Sequence, residues 1–328
     1  MRISKYPDDL AFTPATGQRL QWPQLPDHVR RGIETRLGAA VTKAVTQPGG
    51  FSPGVAARLR LANGRAAFVK AVSGSINPDS PGMHRREARI AAALPPSVPT
   101  PRFLDAYDDG DWIALIFEDV DGTTPRTPWN RAELDRVLVA VREMSTALTP
   151  APIAVEPVGE LMPAVFAGWQ RLAAGVDAGQ DDLHSVDPWA QRHLAGLVAL
   201  EAAAPEAATG TTLLHADIRA DNILLTPSRV VFVDWPWASR GAAWVDLLFM
   251  LPSVAMQRGP KPWEIFDAHP LGRRAPAGAV TSVVAAVAGF MIRGSRLPAP
   301  PGLPTVRAFQ RDQGVPALEW LKRRTGWT

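Results

Sequence analysis

The chain has 328 residues, enough for one large domain or two lobes with a substantial core. It is 46% hydrophobic and 20% charged, as expected of a globular protein, and its net charge of +3 is spread without long runs of one sign, which excludes a charged interaction tail. Cysteine is absent, so disulfides, thiol nucleophiles and thiolate metal sites are excluded, and short scattered pairs such as Arg85-Arg86 fit a solvated surface rather than a nucleic-acid stripe.

The first residues, MRISKYPDDLAF, lack the basic-then-apolar pattern of a secretory signal, and a cytoplasmic protein is expected. Residues 24–37 pattern as a short amphipathic helix. Alternation from Val55 to Leu61, the dipeptide Asn63-Gly64 and the segment AAFVKAV predict two strands joined by a tight turn. Upstream, Gly49-Gly50-Phe51-Ser52-Pro53-Gly54 is a glycine-rich bend between strands. Only five of the 35 basic residues are lysines, so Lys70, inside an apolar strand, is not filler.

Residues 83–94 predict a helix stopped by Pro95 and Pro96. WIALIFEDV (112–120) predicts a buried strand, and the acidic, glycine-containing stretch after it marks a hinge at about 118–122. Beyond the hinge the pattern turns helical, with helices expected at 131–148, 186–204, 242–257, 277–293 and 305–323. The long uncharged run 275–292 is weakly hydrophobic, and a buried helix is expected there rather than a membrane span. Three short strands, in TTLLH, NILL and VVFVD, are inset around residues 211–234. The expected fold class is α+β: a small N-terminal β-sheet lobe, residues 1–118, and a larger, mainly helical C-terminal lobe, residues 119–328.

The stretch LLHADIRADNILL sets an acid, an amide and a histidine between apolar runs. Phosphoryl transfer asks a protein to hold a triphosphate, place Mg²⁺ and orient the attacking hydroxyl. Mg²⁺ takes hard oxygen ligands, one or two carboxylates plus phosphates. Asp217, Asn222 and Asp234 offer such oxygens, and a turn at Thr226-Pro227-Ser228 folds the last two strands back so that Asn222 and Asp234 share one open end.

His215-x-Asp217-x-x-x-x-Asn222, followed twelve residues later by Asp234 after an apolar run, resembles the catalytic and metal-binding loops of the aminoglycoside phosphotransferase family, which with choline kinases shares the protein-kinase-like bilobal fold. The resemblance covers roughly residues 40–257. It implies that Asp217 is the catalytic base or the residue that orients the hydroxyl, that Asn222 and Asp234 hold Mg²⁺, that Lys70 contacts the phosphates of ATP (or GTP), and that Glu87 pairs with Lys70. It further implies that the glycine-rich bend, with Gly50 and Ser52, is the nucleotide loop and that the backbone from Glu118 to Val120 meets the base. The sequence Asp234-Trp235-Pro236-Trp237 departs from the Asp-Phe-Gly of protein kinases, as does His-Ala-Asp from His-Arg-Asp, and the nucleotide loop is not a strict GxGxxG.

The resemblance thus implies a Mg²⁺-dependent small-molecule kinase acting on a hydroxyl of an antibiotic, amino sugar or related metabolite, with a role in antibiotic resistance or in metabolism. A pseudokinase-like nucleotide-binding scaffold and a protein kinase are the alternatives. The partners expected are the nucleotide and the acceptor, with no nucleic acid and no membrane, in a monomer or homodimer. Asp181, Asp182, Asp221, Glu264 and Asp267 are the acids available for a polycationic acceptor, Trp235 and Trp237 are candidates for its pocket wall, and His215 and Asp246 are expected to brace the catalytic loop.

Overall fold

The computed structural model describes residues 12–16, 19–51 and 53–328. The N-terminal stretch examined for a signal pattern, apart from Phe12, and Ser52 of the glycine-rich bend lie outside the described residues.

The N-terminal lobe is a six-stranded sheet: β1 (Arg19–Leu20), β2 (Val41–Thr46), β3 (Gly54–Leu61), β4 (Ala66–Ser73), β5 (Phe103–Asp108) and β6 (Trp112–Glu118), in the order β1-β3-β4-β6-β5 with β2 also paired to β3. β1 is parallel to β3 and the other pairings are antiparallel. The turn at Asn63-Gly64 joins β3 to β4, with Gly64 at a φ of 81°. Side chains alternate across the sheet. Val69, Ala71 and Ile116 face α1 (Asp27–Leu37), which buries Val29 and Ile33 against them. Val72, Leu115 and Phe117 face α2 (Ser80–Ala93), which presents Ala88 and Ala91. Lys70 pairs in register with Leu115, so the same alternation aims it at α2.

After β6, residues 119–130 run without helix or long strand to α3 (Arg131–Ala147), capped by the Asn130 side chain. The helical lobe continues with α4 (Val158–Leu161), α5 (Gly168–Asp177), α6 (Pro188–Arg192), α7 (Leu194–Ala202) and α8 (Ala204–Ala207). The single helix expected over 186–204 is therefore broken: His193 leaves helical geometry at ψ 16°, its ring set between those of Trp189 and Trp327 and its Nε2 against the Thr328 carbonyl at 3.0 Å. Tertiary packing of the C-terminus overrides a continuous helical pattern here.

Three short strands follow, β7 (Thr212–Leu214), β8 (Ile223–Leu225) and β9 (Val230–Phe232), then β10 (Ser239–Gly241). β8 and β9 form the expected hairpin, but β7 pairs with β10 instead. The chain closes with α9 (Val245–Met256), α10 (Pro262–Ala268), α11 (Pro270–Arg273), α12 (Ala277–Ser295) and α13 (Val306–Thr325). α12 is long and apolar enough by length and composition to cross a membrane. In the fold it is a core helix, packed by α5, α7 and α13, with Val283, Ala285 and Ala288 fully buried.

Candidate active site

The residues singled out in the sequence converge on the cleft between the lobes. Lys70 leaves the α2 side of β4 and its ammonium donates to both Glu87 oxygens, at 2.7 and 2.9 Å, and to Asp234 Oδ1 at 2.6 Å. Glu87 falls on the buried face of α2 with His84 and Ile90, at the i, i+3 spacing that lines one side of a helix. One lysine thus ties the small lobe to the loop that carries Asp234 in the large one.

The loop that carries Asp217 is held from behind. β7 delivers His215 and Ala216, whose amides donate to the two oxygens of Asp246 at 2.9 and 2.7 Å. Asp246 sits in the first turn of α9. His215 is fully buried; its Nε2 meets the Val233 carbonyl at 2.9 Å and its Nδ1 accepts from the Asp217 amide at 3.2 Å. Nδ1 is therefore the acceptor and Nε2 carries the proton, the tautomer of a neutral bracing histidine. Ala216 and Asp234 both adopt left-handed backbone, with φ of 62° and 72°. Such residues are sparsely populated and cluster at functional loops, where the surroundings impose them. Here the imposition is visible: the Asp246 carboxylate fixes Ala216, and the Lys70 ion pair fixes Asp234.

Asn222 ends a 3-10 turn (Ala220–Asn222) just before β8, and its carbonyl accepts from the Val233 amide at 2.9 Å, which sets it beside Asp234. Its side-chain Nδ2 donates to the Asp217 carbonyl at 2.9 Å, leaving Oδ1 free to face the cleft. Asp234 likewise keeps Oδ2 while Oδ1 takes the lysine. One amide oxygen and one carboxylate oxygen side by side fit Mg²⁺, which completes its shell with phosphates and water. No group of three or more His, Asp or Glu arranged for a metal ion occurs among the described residues.

The charges here are tightly balanced. Burial would push the Lys70 ammonium down, but Asp234 and Glu87 outweigh it and hold the lysine protonated. Burial would push Asp234 up, but Lys70 draws it well below the usual carboxylate range. For Glu87 burial prevails over Lys70, and its affinity for a proton rises. Asp217 is pushed up to about 7 by burial, against the pull of Arg219. Its side chain still keeps 23% of its surface open to the cleft, so water there tempers the push. Burial likewise raises Asp246 to about 6, with the His215 and Ala216 amides pulling the other way.

Two cavities open from this cluster. One, about 640 Å³, lies under the glycine-rich bend and is lined by Gly50, Lys70, Glu118, Val120, Asn222 and Asp234. Phe68 and Phe117 from the sheet and Leu224 from β8 line it as well, giving apolar faces for a flat ring. The Val120 amide at its edge has no acceptor among the described residues. Gly50 has a φ of 86° and Gly54 one of 93°. A Cβ on Gly54 would stand 2.3 Å from the Ala71 carbonyl, so the bend closes onto β4 only with glycine there. The second cavity, about 480 Å³, is lined by Asp217, Trp237 and residues of α9, α12 and α13. Glu87 and Asp234 line both, so the two cavities meet at the ion-paired cluster.

The structure does not gather the acids suggested for a polycationic acceptor. Asp181 is bound by Arg296 at 2.5 and 2.7 Å, Asp182 contacts His184 at the surface, and Glu264 accepts from the amide of Lys261. None of these, nor Asp267, lines the second cavity, and Asp221 lines the first. Trp235 is buried, bonded to the Phe232 carbonyl at 3.0 Å, whereas Trp237 does line the second cavity.

Sequence reasoning missed Arg219. Its guanidinium is bonded to Asp217 and, at 3.1 and 2.9 Å, to Asp221, and it lies 5.4 Å from the Phe51 ring and 5.8 Å from that of Phe309. The signal was Asp-x-Arg-x-Asp, a cation set between two acids; the 3-10 turn at Ala220–Asn222 brings Asp221 to the guanidinium.

Comparison with known proteins agrees with this geometry. The family model described as "Phosphotransferase enzyme family" matches residues 50–279. No curated protein matches the chain. Among solved structures, the chain is similar to a thermostable mutant of the aminoglycoside phosphotransferase APH(4)-Ia in ternary complex with ADP and hygromycin B, with a TM-score of 0.61, 14% identity, and coverage of 92% of this chain and 99% of that one. It is also similar to a choline/ethanolamine kinase family protein from Mesorhizobium loti, with a TM-score of 0.52, 18% identity, and coverage of 92% and 93%. The structural likeness establishes the kinase-like bilobal fold, and the family match over more than two thirds of the sequence establishes the rest: the chain belongs to the phosphotransferase enzyme family.

Proposed function

We propose that the protein is a Mg²⁺-dependent small-molecule kinase that moves the γ-phosphoryl group of ATP to a hydroxyl of a small acceptor. The observation that carries this reading is the meeting of two cavities at one charged cluster, with Lys70 and Asn222 on the nucleotide side and Asp217 on the acceptor side.

In this reading Lys70 holds the phosphates and Glu87 fixes Lys70. Gly50 and its bend cover the triphosphate, and the Glu118–Val120 backbone meets the base. Asn222 Oδ1 and the free oxygen of Asp234 would hold Mg²⁺, which supplies charge neutralisation on the phosphates. Asp217 accepts the proton of the acceptor hydroxyl as its oxygen bonds to the γ-phosphorus and the bond to the β-phosphate bridging oxygen breaks, releasing ADP. Arg219 and the Asn222 amide hold the Asp217 carboxylate in place. The complete set of these groups favours turnover over a nucleotide-binding scaffold. The neighbours' printed ligands, ADP and AMP-PNP with hygromycin B, support a nucleotide donor and a small-molecule acceptor.

Calorimetric titration with ATP tests the donor half of this reading. Mg²⁺ should strengthen ATP binding to wild type at least tenfold, and Asp234→Ala should abolish that gain. Equal ATP affinity with and without Mg²⁺ would remove Asn222 and Asp234 from the metal site.

A further inference from the structure

The second cavity is not built for a polycation. Its carboxylates are Asp79, Glu87, Asp217 and Asp234. Glu87 and Asp234 share the Lys70 ammonium, and Asp217 shares the Arg219 guanidinium with Asp221. That leaves Asp79, exposed at the rim, as the one carboxylate in the lining without an ion pair among the described residues. A multiply charged amine entering here would lose water and gain one solvated partner, a poor exchange.

The surroundings repeat the argument. Arg307 donates to Gln310 Oε1 at 2.8 Å, and Gln310 lines the cavity. Arg293 lies close enough to Arg307 and Arg171 for the positive charges to weaken one another's hold on their protons, in addition to the effect of burial. Neither Arg293 nor Arg307 forms an ion pair among the described residues. Like charge behind the wall opposes a polycation again.

What the cavity offers instead is apolar surface. Met162, Phe249, Phe290, Met291 and Leu303 line it. Two methionines among aromatic rings make a surface that adapts to irregular apolar shapes. A volume of about 480 Å³ is in the range of sites that hold drug-sized molecules. Polar side chains interrupt the wall, Gln310 and Gln313 among them. Gln313 of α13 is 3% exposed, lines the cavity, and its amide has no hydrogen-bond partner among the described residues. Its amide atoms are not sealed away from the cavity, so a ligand carbonyl or hydroxyl can supply the partner.

Resting on the kinase reading, we propose that the acceptor is a mainly apolar, hydroxyl-bearing molecule with at most one positive charge, seated on the Met162–Phe290–Met291 wall and bonded through a carbonyl or hydroxyl to the Gln313 amide. A compound with one hydroxyl near Asp217 and an apolar body about 10 Å across satisfies both ends.

Titration calorimetry of the Mg–ADP-loaded protein tests this with two probe sets: erythromycin and tylosin, apolar macrocycles with several hydroxyls, and kanamycin and hygromycin B, which carry several amines. At least one macrocycle should bind at micromolar concentration and at least tenfold more tightly than either polyamine. Gln313→Leu should weaken that binding about five- to tenfold, the loss of one well-placed hydrogen bond, with ATP affinity unchanged as the check that the variant is folded. Phe290→Ala should weaken it further by loss of apolar contact. Tighter binding of a polyamine, or binding of neither macrocycle, overturns the inference. Asp217-dependent phosphorylation of a polyamine would sink only this acceptor class. Failure of Mg–ATP to bind at all would sink the kinase reading beneath it.

Discussion

Arg219 is ion-paired to Asp217, the acid that lines the acceptor cavity, and its other face is bonded to Asp221 on the nucleotide side. The guanidinium therefore spans the boundary between the two cavities, against the Phe51 and Phe309 rings. It offsets a burial that alone would favour a neutral Asp217. Removing it should leave the acid both misplaced and more readily protonated, so less of it is present as the carboxylate. Arg219→Ala is expected to lower kcat at least tenfold with nucleotide affinity changed far less, read by steady-state kinetics beside ATP titration. Unchanged kcat would leave Arg219 with a packing role alone.

Lys70 of the sheet bonds both Glu87 and Asp234; Lys70 and Glu87 are buried and Asp234 is half-buried. Removing one partner of a buried ion pair leaves the others uncompensated, at roughly 3 kcal/mol or more. Lys70→Met should therefore lower the urea midpoint of the nucleotide-free protein and weaken ATP binding at least tenfold. A variant as stable as wild type would mean that water reaches Glu87 in a way its 3% exposure does not allow.

Asp246 never touches the cavities, yet it holds the backbone before Asp217 through two amides. Asp246→Ala orphans both donors and releases Ala216 from its left-handed conformation, at about 2–3 kcal/mol. Thermal unfolding should register that loss. kcat should fall tenfold or more while ATP still binds, because Lys70 and the glycine-rich bend remain. A kcat loss matched by an equal loss of ATP affinity would point to general unfolding instead.

His84 is buried beside the cluster, its Nδ1 against the Ser80 carbonyl at 3.0 Å. Burial pushes its imidazole down to about 4, with Lys70 adding to the effect. The unfolded chain takes up that proton near pH 6.5, so the stability that neutral His84 contributes is complete above pH 6.5 and drains away as pH falls towards 4. At pH 5 the loss is about 2 kcal/mol. His84→Gln should therefore be less acid-sensitive than wild type between pH 7 and pH 5 in urea unfolding. Asp246, raised by burial, acts in the opposite direction in both proteins and cancels from the comparison. Identical pH slopes would show that His84 charges freely in the fold.

Much of this architecture was readable from local pattern. The β3–β4 hairpin follows from alternation around Asn63-Gly64, and the Asn222–Asp234 juxtaposition follows from a hairpin whose turn is explicit. What was not readable depended on contacts between distant segments. The break at His193 is caused by Trp327, which lies 134 positions on. The pairing of β7 with β10 instead of the hairpin depends on a strand of three residues, too short to show a period. The character of the acceptor cavity depends on which faces of α9, α12 and α13 meet, so the scattered acids of the helical lobe gave no guide to it. Arg219 lay in plain view between two acids, but its role emerges only when Phe51 from the other lobe and Phe309 from the last long helix close over it.

The central claim is phosphoryl transfer to a small-molecule hydroxyl with Asp217 as base. Its most direct test is mass spectrometry of an acceptor panel, apolar macrocycles, polyamines, amino sugars and choline, incubated with Mg–ATP and either wild type or Asp217→Asn. The account predicts a product heavier by one phosphoryl group with wild type, formed about 10²–10⁴-fold more slowly by the variant although ATP binds both. A product formed equally fast by Asp217→Asn, or no product from wild type with any acceptor while Mg–ATP is bound, would contradict it.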